Sequence, residues 1–302
     1  MTSDRPSGRA GDDLAYGLVS TYRVTEGGAD GGTRQPTTTG GAISPLPSAT
    51  NELTQRDQLI IRSLQELHYM TARQIERLIF VGHASAHAAA RASRRTLKAL
   101  VVKGLLHRLE RRIGGVRAGS ASYVYGLTPR GHRVVGQTTR RRSREPSLLH
   151  LQHVLAVAEI VVRVVERTRL DDQIKLLAIR GEPSCWRPFL AAHGGSGLLK
   201  PDLRLVLRNG QQELHWFVEL DRGSEHRPVI RRKLTSYVSA WKDGGEQAEH
   251  GVFPRVLWVV PSPRRGAALK EVFDQYTGLP DGMCLVATED RSIDVLAAGV
   301  PS

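Results

Sequence analysis

Cysteine is scarce in this sequence. Only Cys185 and Cys284 occur among 302 residues, far apart and without a CxxC spacing. That excludes a disulfide framework and leaves no zinc-ligand pattern. Long apolar runs read as missing too, since none approaches the roughly 20 residues that cross a bilayer. The first residues lack the apolar stretch of a signal peptide. The expectation is a soluble, cytoplasmic protein with no membrane partner. The P-loop, the dinucleotide fingerprint and the nucleophile elbow are absent. So is a paired-histidine cluster beside a tyrosine, which leaves tyrosine-based transesterification without its residues.

What is present is charge of one sign, and it is concentrated. The chain has 43 Lys+Arg against 30 Asp+Glu, a formal net charge of +13. Residues 1–50 sum to −1 and residues 151–302 to +1, whereas residues 51–150 carry 19 basic against six acidic side chains, a net +13. An even basic surface serves solubility. An excess confined to one module points to a polyanion, because each neutralised phosphate releases condensed counterions.

Residues 1–50 are rich in Gly, Ser, Thr and Pro without an apolar period, as expected of a disordered tail. From there the expected boundaries are a module over 51–139, a basic linker over 140–147 and an α/β domain over 148–298. Thr54 caps a first helix with Leu59, Ile60, Ser63, Leu64 and Leu67 on one stripe. Thr71 and Gln74 form a capping-box signature for a second helix, which runs to Gly82. A third runs from about Ala84 to Lys103 and stops at Gly104. Two strands follow, near 105–111 and 122–127, joined by a glycine- and arginine-rich loop. Three helices then a hairpin is the winged-helix order.

On the third helix His87, Arg91, Arg94, Arg95 and Lys98 share one face. Ala89, Ala90, Ser93, Leu97, Leu100 and Val101 share the other. The apolar face seats the helix, and the basic face is free to enter a major groove, which admits one α-helix. Arg111, Arg112 and Arg117 of the candidate wing extend the cationic set. Arg140, Arg141, Arg142 and Arg144 before Pro146 fit phosphate contact or a solvated hinge equally. Double-stranded DNA is the expected partner, since the deep major groove of duplex RNA is closed to a helix. A solvated cationic face is the plain alternative.

From Ser147 the pattern becomes α/β: a long helix from Leu148, strands near 176–181, 203–208, 214–221, 256–260 and 284–288, and helices near 228–241 and 265–276. A mixed sheet covered by helices is expected. Asn209-Gly210 marks a turn lengthened by Gln211–Glu213. Asp202 opens one strand. Glu219 and Asp221 lie two apart on the next, so they share a face. Three carboxylates on adjacent strands can converge on one Mg²⁺, a hard cation that prefers oxygen and activates bound water. Lys233 on the following helix can reach back to them. Alternatively, Asp221, Arg222 and Glu225 form an ion-pair network at the strand end. His150 and His153, three apart on a helix, read as an ordinary interhelical contact.

LKPD, then VELDRGSE, then a helix reading RRKLTSYVSAW resembles the PD-(D/E)XK nuclease-like fold. With LTPRG after the hairpin, the pairing of modules over about residues 52–245 resembles the replication-relaxation family of plasmids and mobile elements, largely actinobacterial. The resemblance implies a role in plasmid replication or DNA relaxation. It implies Asp202 and Glu219 as metal ligands, Asp221 as a third ligand or base, and Lys233 as a lysine migrated to the helix. Glu159 or Glu166 would add a carboxylate. One position departs: the nuclease pattern has lysine where this chain has Asp221.

Three functions follow as expectations. One is a DNA-binding accessory of a mobile element, working with replication or relaxase proteins. Another is a Mg²⁺-dependent endonuclease or nickase. The third is a transcriptional regulator whose second domain dimerises or senses a ligand. A homodimer fits groove readers of this kind.

Overall fold

The computed structural model describes residues 53–113, 122–136, 146–191, 194–223 and 225–298. The expected tail, Arg117, Arg140, Arg141, Arg142 and Arg144 lie outside these. The chain divides into two compact units between Glu145 and Pro146.

In the first unit, local chemistry sets the helix starts. Helix α1 (Gln55–Leu67) begins where Thr54 Oγ1 accepts from Asp57 N and Asp57 Oδ2 accepts from Thr54 N, both at 3.1 Å. Strand β1 (Tyr69–Thr71) leads into helix α2 (Ala72–Ile79), where Thr71 and Gln74 make the same reciprocal pair. Each box satisfies two backbone N–H groups that the first turn leaves without helical partners. Helix α2 ends at Ile79 rather than Gly82. Ser85 caps helix α3 (Ala86–Val102) by accepting from Ala88 N.

Strands β2 (Leu106–Ile113) and β3 (Ser122–Leu127) pair antiparallel, and β1 adds to the far side of β3. Strand β1 carries no signal of its own in the sequence, being three residues long. Ile60, Ile61, Leu64, Met70, Ile75, Leu78, Leu97 and Leu100 bury completely beneath these elements.

The LTPRG segment closes the hairpin base. Thr128 donates to the carbonyls of Gly104 (2.6 Å) and Leu105 (3.1 Å). It also accepts from Gly131 N, capping the short helix α4 (Pro129–Val134). A Cβ on Gly131 would stand 2.2 Å from Leu105 O, so only glycine allows this approach.

The second unit is a five-stranded mixed sheet between helices. Its strands are β4 (Ile174–Gly181), β7 (Leu203–Asn209), β8 (Gln212–Leu220), β9 (Arg255–Val260) and β10 (Cys284–Thr288), in the order β10-β9-β8-β7-β4. Strands β8, β9 and β10 run parallel, and β7 is antiparallel to both β4 and β8. The β7–β8 turn is tighter than the sequence implied, because Asn209 already pairs with Gln212.

Helix α6 (Arg227–Asp243) and helix α8 (Pro263–Asp274) cover one face, with Tyr237, Leu234, Leu269 and Phe217 in that core. Helix α5 (Leu148–Leu170) and helix α9 (Ser292–Ala298) also pack in this unit, and Trp216 Nε1 donates to the Leu296 carbonyl. A two-stranded sheet of β5 (Arg187–Leu190) and β6 (Ser196–Leu199), and the short helix α7 (Gly245–His250), have no counterpart in the sequence reading.

Helix α5 corrects one expectation. At 23 residues it is long and apolar enough to cross a membrane by length and composition alone. Here Leu151, Ala158, Val161 and Val162 are buried, and Arg163 donates to the carbonyls of Glu289 and Asp290.

Candidate functional site

Two sets of side chains stand out, one in each unit. In the first, Ala89, Ser93, Leu97 and Leu100 of α3 are buried, while His87, Arg91, Arg94, Arg95 and Lys98 are exposed. None of the four cations holds an acidic partner among the described residues. Burying one stripe against α2 and β2 fixes the helix, so the opposite stripe projects by its 100° period. Arg111 and Arg112 lie on β2. Arg108, also on β2, is exposed and sits 4.3 Å over the Tyr123 ring, a cation the sequence reading missed.

In the second unit, pairing of Leu203 with Val218 brings Asp202, which precedes β7, beside the end of β8. Asp202 Oδ2 accepts from Leu220 N at 2.7 Å, and Oδ1 lies 3.1 Å from His153 Nε2 of α5. Glu219, on the face toward α6, is almost wholly buried. Its Oε1 accepts from Tyr237 Oη at 2.6 Å and its Oε2 from Lys233 Nζ at 2.8 Å. Lys233 is 2.6 Å from Glu225 Oε1 as well. Spacing along α6 explains this: Lys233 and Tyr237 are one turn apart and share a face.

Asp202, Glu219 and Lys233 therefore come together, and Asp221 does not join them. Its carboxylate is buried and engaged elsewhere, accepting from Gly223 N and from Arg265 of α8. Glu225 pairs with Lys233 rather than Arg222, so the strand-end network anticipated from sequence has other partners. The expected three-ligand convergence is thus replaced. Among the described residues, the ligand-type trio held tightly together is Glu246, Glu249 and His250. Glu246 there is engaged by Arg187 and Arg204, as Glu219 is by Lys233 and Tyr237.

Two residues that the sequence reading did not assign belong to the pocket. Glu182 directly follows β4, and the pairing of Gly181 with Leu203 carries on to set it beside Asp202. His153, read as an interhelical contact, instead bonds Asp202. Glu159 and Glu166 make contacts of their own on α5. Register was the missing signal. Only the antiparallel pairing of β4 with β7 brings residue 182 to residue 202.

The electrostatics record burial first and the neighbouring charge of Asp202 second. Burial, then the charge of Asp202, pushes the Glu219 carboxyl up to about 7, despite hydrogen bonds from Lys233 and Tyr237. Burial and Asp202 raise Glu182 as well. The hydrogen bond to Asp202 raises His153 above the usual imidazole range, against burial. Burial alone would lower Lys233, but the charges of Glu219 and Asp202 outweigh it and hold the ammonium protonated. Mutually repelling carboxylates in a partly dry pocket suit a hard divalent cation. Asp202, Glu219 and Glu182 carry oxygen donors of that kind, which would have to draw together around an ion.

Residues 61–256 match the family described as Replication-relaxation, a span that crosses both units. No curated protein and no solved structure matches the chain. The family match covers well over half of the 302 residues. The chain belongs to the replication-relaxation family.

Proposed function

We propose that this chain is a double-stranded-DNA-binding protein that acts in the replication or relaxation of a plasmid or other mobile element. Its first unit works as a winged helix-turn-helix and its second as a PD-(D/E)XK nuclease-like domain. One observation carries the reading: Arg91, Arg94, Arg95 and Lys98 share an exposed face of α3 whose opposite face is core. An arginine fork binds guanine or phosphate bidentately, and a helix so presented fits a major groove. Helix α3 then serves as the recognition helix and β2–β3 as the wing.

The test is duplex binding by Arg91→Ala/Arg95→Ala across a salt series. Affinity falls and the dependence of log K on log salt flattens by about two, one for each phosphate that is no longer neutralised. Unchanged affinity and slope refute the assignment.

The pocket at Asp202 favours a second reading, a metal-dependent endonuclease. A bound Mg²⁺ would neutralise phosphoryl charge and activate water there. The residues around it orient and hold protons. Asp202 and Glu219 would ligate, with Glu182 as the third carboxylate. Lys233, kept protonated, would stabilise a developing oxyanion. Tyr237 fixes Glu219, and His153 fixes Asp202. Nicking of supercoiled plasmid with Mg²⁺, Mn²⁺ or EDTA tests this reading. Activity that survives Asp202→Ala/Glu219→Ala removes it.

A further inference from the structure

Several cations of the Pro146–Ser302 unit serve its own acids. Arg187 and Arg204 hold Glu246, Arg208 holds Glu213, Arg227 holds Glu271 and Arg265 holds Asp221. The exposed Lys175, Lys242, Arg255 and Lys270 do not, and neither do Lys200, Arg222, Arg232 and Arg264. The last four are exposed as well, and none has an acidic partner among the described residues.

Their places in the chain gather at the end of the sheet that carries the pocket. Lys200 stands two residues before Asp202, Arg222 directly follows Asp221, Arg232 directly precedes Lys233, and Arg264 directly precedes Arg265. Strand β7 begins and β8 ends at this end of the sheet. Helices α6 and α8 are joined to it through Lys233–Glu219 and Arg265–Asp221. The cations are therefore distributed over four elements that meet at this end of the sheet. Lys200 Nζ lies 4.7 Å over the Trp186 ring, which restrains the ammonium without cancelling its charge.

We propose that Lys200, Arg222, Arg232 and Arg264 form a second DNA contact, a clamp for a phosphodiester backbone at the mouth of the carboxylate pocket, separate from α3. These outer cations are left for an external anion. Guanidinium forks suit phosphate oxygens, and contacts of this kind position a strand without reading its sequence. The proposal deepens the nuclease-like reading of the pocket and rests on it for the choice of ligand.

The test uses the full chain, a fluorescein-labelled 20-nucleotide single strand and the matching duplex, with anisotropy followed over a salt series. Lys200→Ala/Arg222→Ala/Arg232→Ala/Arg264→Ala is placed in the wild-type background and in Arg91→Ala/Arg95→Ala. In the latter the remaining affinity for at least one of the two DNAs falls roughly tenfold, and its salt slope drops by about one for each cation that meets a phosphate. Arg232→Glu alone weakens binding more than Arg232→Ala. A thermal melt checks that these surface variants fold. Parent affinity and slope on both DNAs overturn the clamp. Failure of the α3 reading is recognised separately, by an unchanged slope in Arg91→Ala/Arg95→Ala alone.

Discussion

Arg265 grips Asp221 with two nitrogens, Nε at 2.8 Å and Nη2 at 2.6 Å from Oδ2, and the same guanidinium donates to the Glu225 carbonyl. On the proposed nuclease-like reading, Asp221 stands where that pattern has lysine. Its carboxylate side chain is fully enclosed, so the pair is structural: it ties α8 to the end of β8 and holds the turn that delivers Glu225 to Lys233. Removing one partner of a buried pair costs about 3–5 kcal/mol, because the other charge stays behind uncompensated. Asp221→Ala is expected to lose about 3 kcal/mol in urea unfolding, toward the low end because Arg265 keeps some contact with solvent. Its affinity for a divalent ion remains that of the parent once folding is corrected for. A third-ligand role for Asp221 would show the reverse, a large drop in ion affinity.

Ion binding itself separates the carboxylates. Titration calorimetry with Mn²⁺ or Mg²⁺ should detect a site in the parent that Glu219→Gln and Asp202→Asn abolish and Glu182→Gln weakens. A saturating ion also stabilises the folded state. At about a hundred times Kd the gain is about 2.7 kcal/mol, and Glu219→Gln should show none of it. An ion-induced rise in Tm that persists in Glu219→Gln would place the metal elsewhere, with Glu246, Glu249 and His250 the first alternative.

The buried acid also gives a pH signature. Glu219 titrates near 7 in the folded chain against an ordinary 4.5, so the folded state holds the extra proton between those values. Stability contributed by this group therefore declines as pH rises from about 4.5 to 7. Glu219→Gln cannot titrate, so its stability should fall less over the same window. His153 also has a raised value, and its contribution is lost as pH climbs through it, but parent and variant share that change. The comparison is urea unfolding of both proteins at pH 5 and pH 7.5. Parallel losses would mean that Glu219 is not held near neutrality.

Much of the architecture is legible in the residues because short-range chemistry specifies it. Thr54 and Thr71 cap their helices through side chains three positions away. The alternation of Trp216 and Val218 with Phe217 and Glu219 fixes which face of β8 meets α6. The exposed cations of α3 follow from a single period. The pocket was half legible for the opposite reason. Asp202, Glu219 and Lys233 come from neighbouring strands and the next helix, a short sequence distance. Glu182 and His153 reach Asp202 through strand register and helix docking, 20 and 49 residues away, and no local pattern encodes that. Asp221 was misplaced because the residue that claims it, Arg265, is 44 positions on. The small β5–β6 sheet escaped notice because each strand is only four residues long.

Glycine 131 offers a test of how the hairpin base is built. A Cβ there would meet the Leu105 carbonyl at 2.2 Å, a backbone atom that cannot rotate aside. Gly131→Ala must therefore displace Thr128 or the start of β2, and with them the hydrogen bonds from Thr128 to Gly104 and Leu105. Overpacking of this kind costs about 1–3 kcal/mol. Gly104, at the end of α3, has open space around it but a φ of +68°, so Gly104→Ala is strained only in its backbone, by about 1–2 kcal/mol. The two variants differ in structure more than in stability. Gly131→Ala should alter the amide shifts of β2 and α4 together in an NMR spectrum, whereas Gly104→Ala should confine its changes to the α3–β2 turn. A Gly131→Ala protein with parent stability and parent shifts would mean that α4 does not close on Leu105 as described.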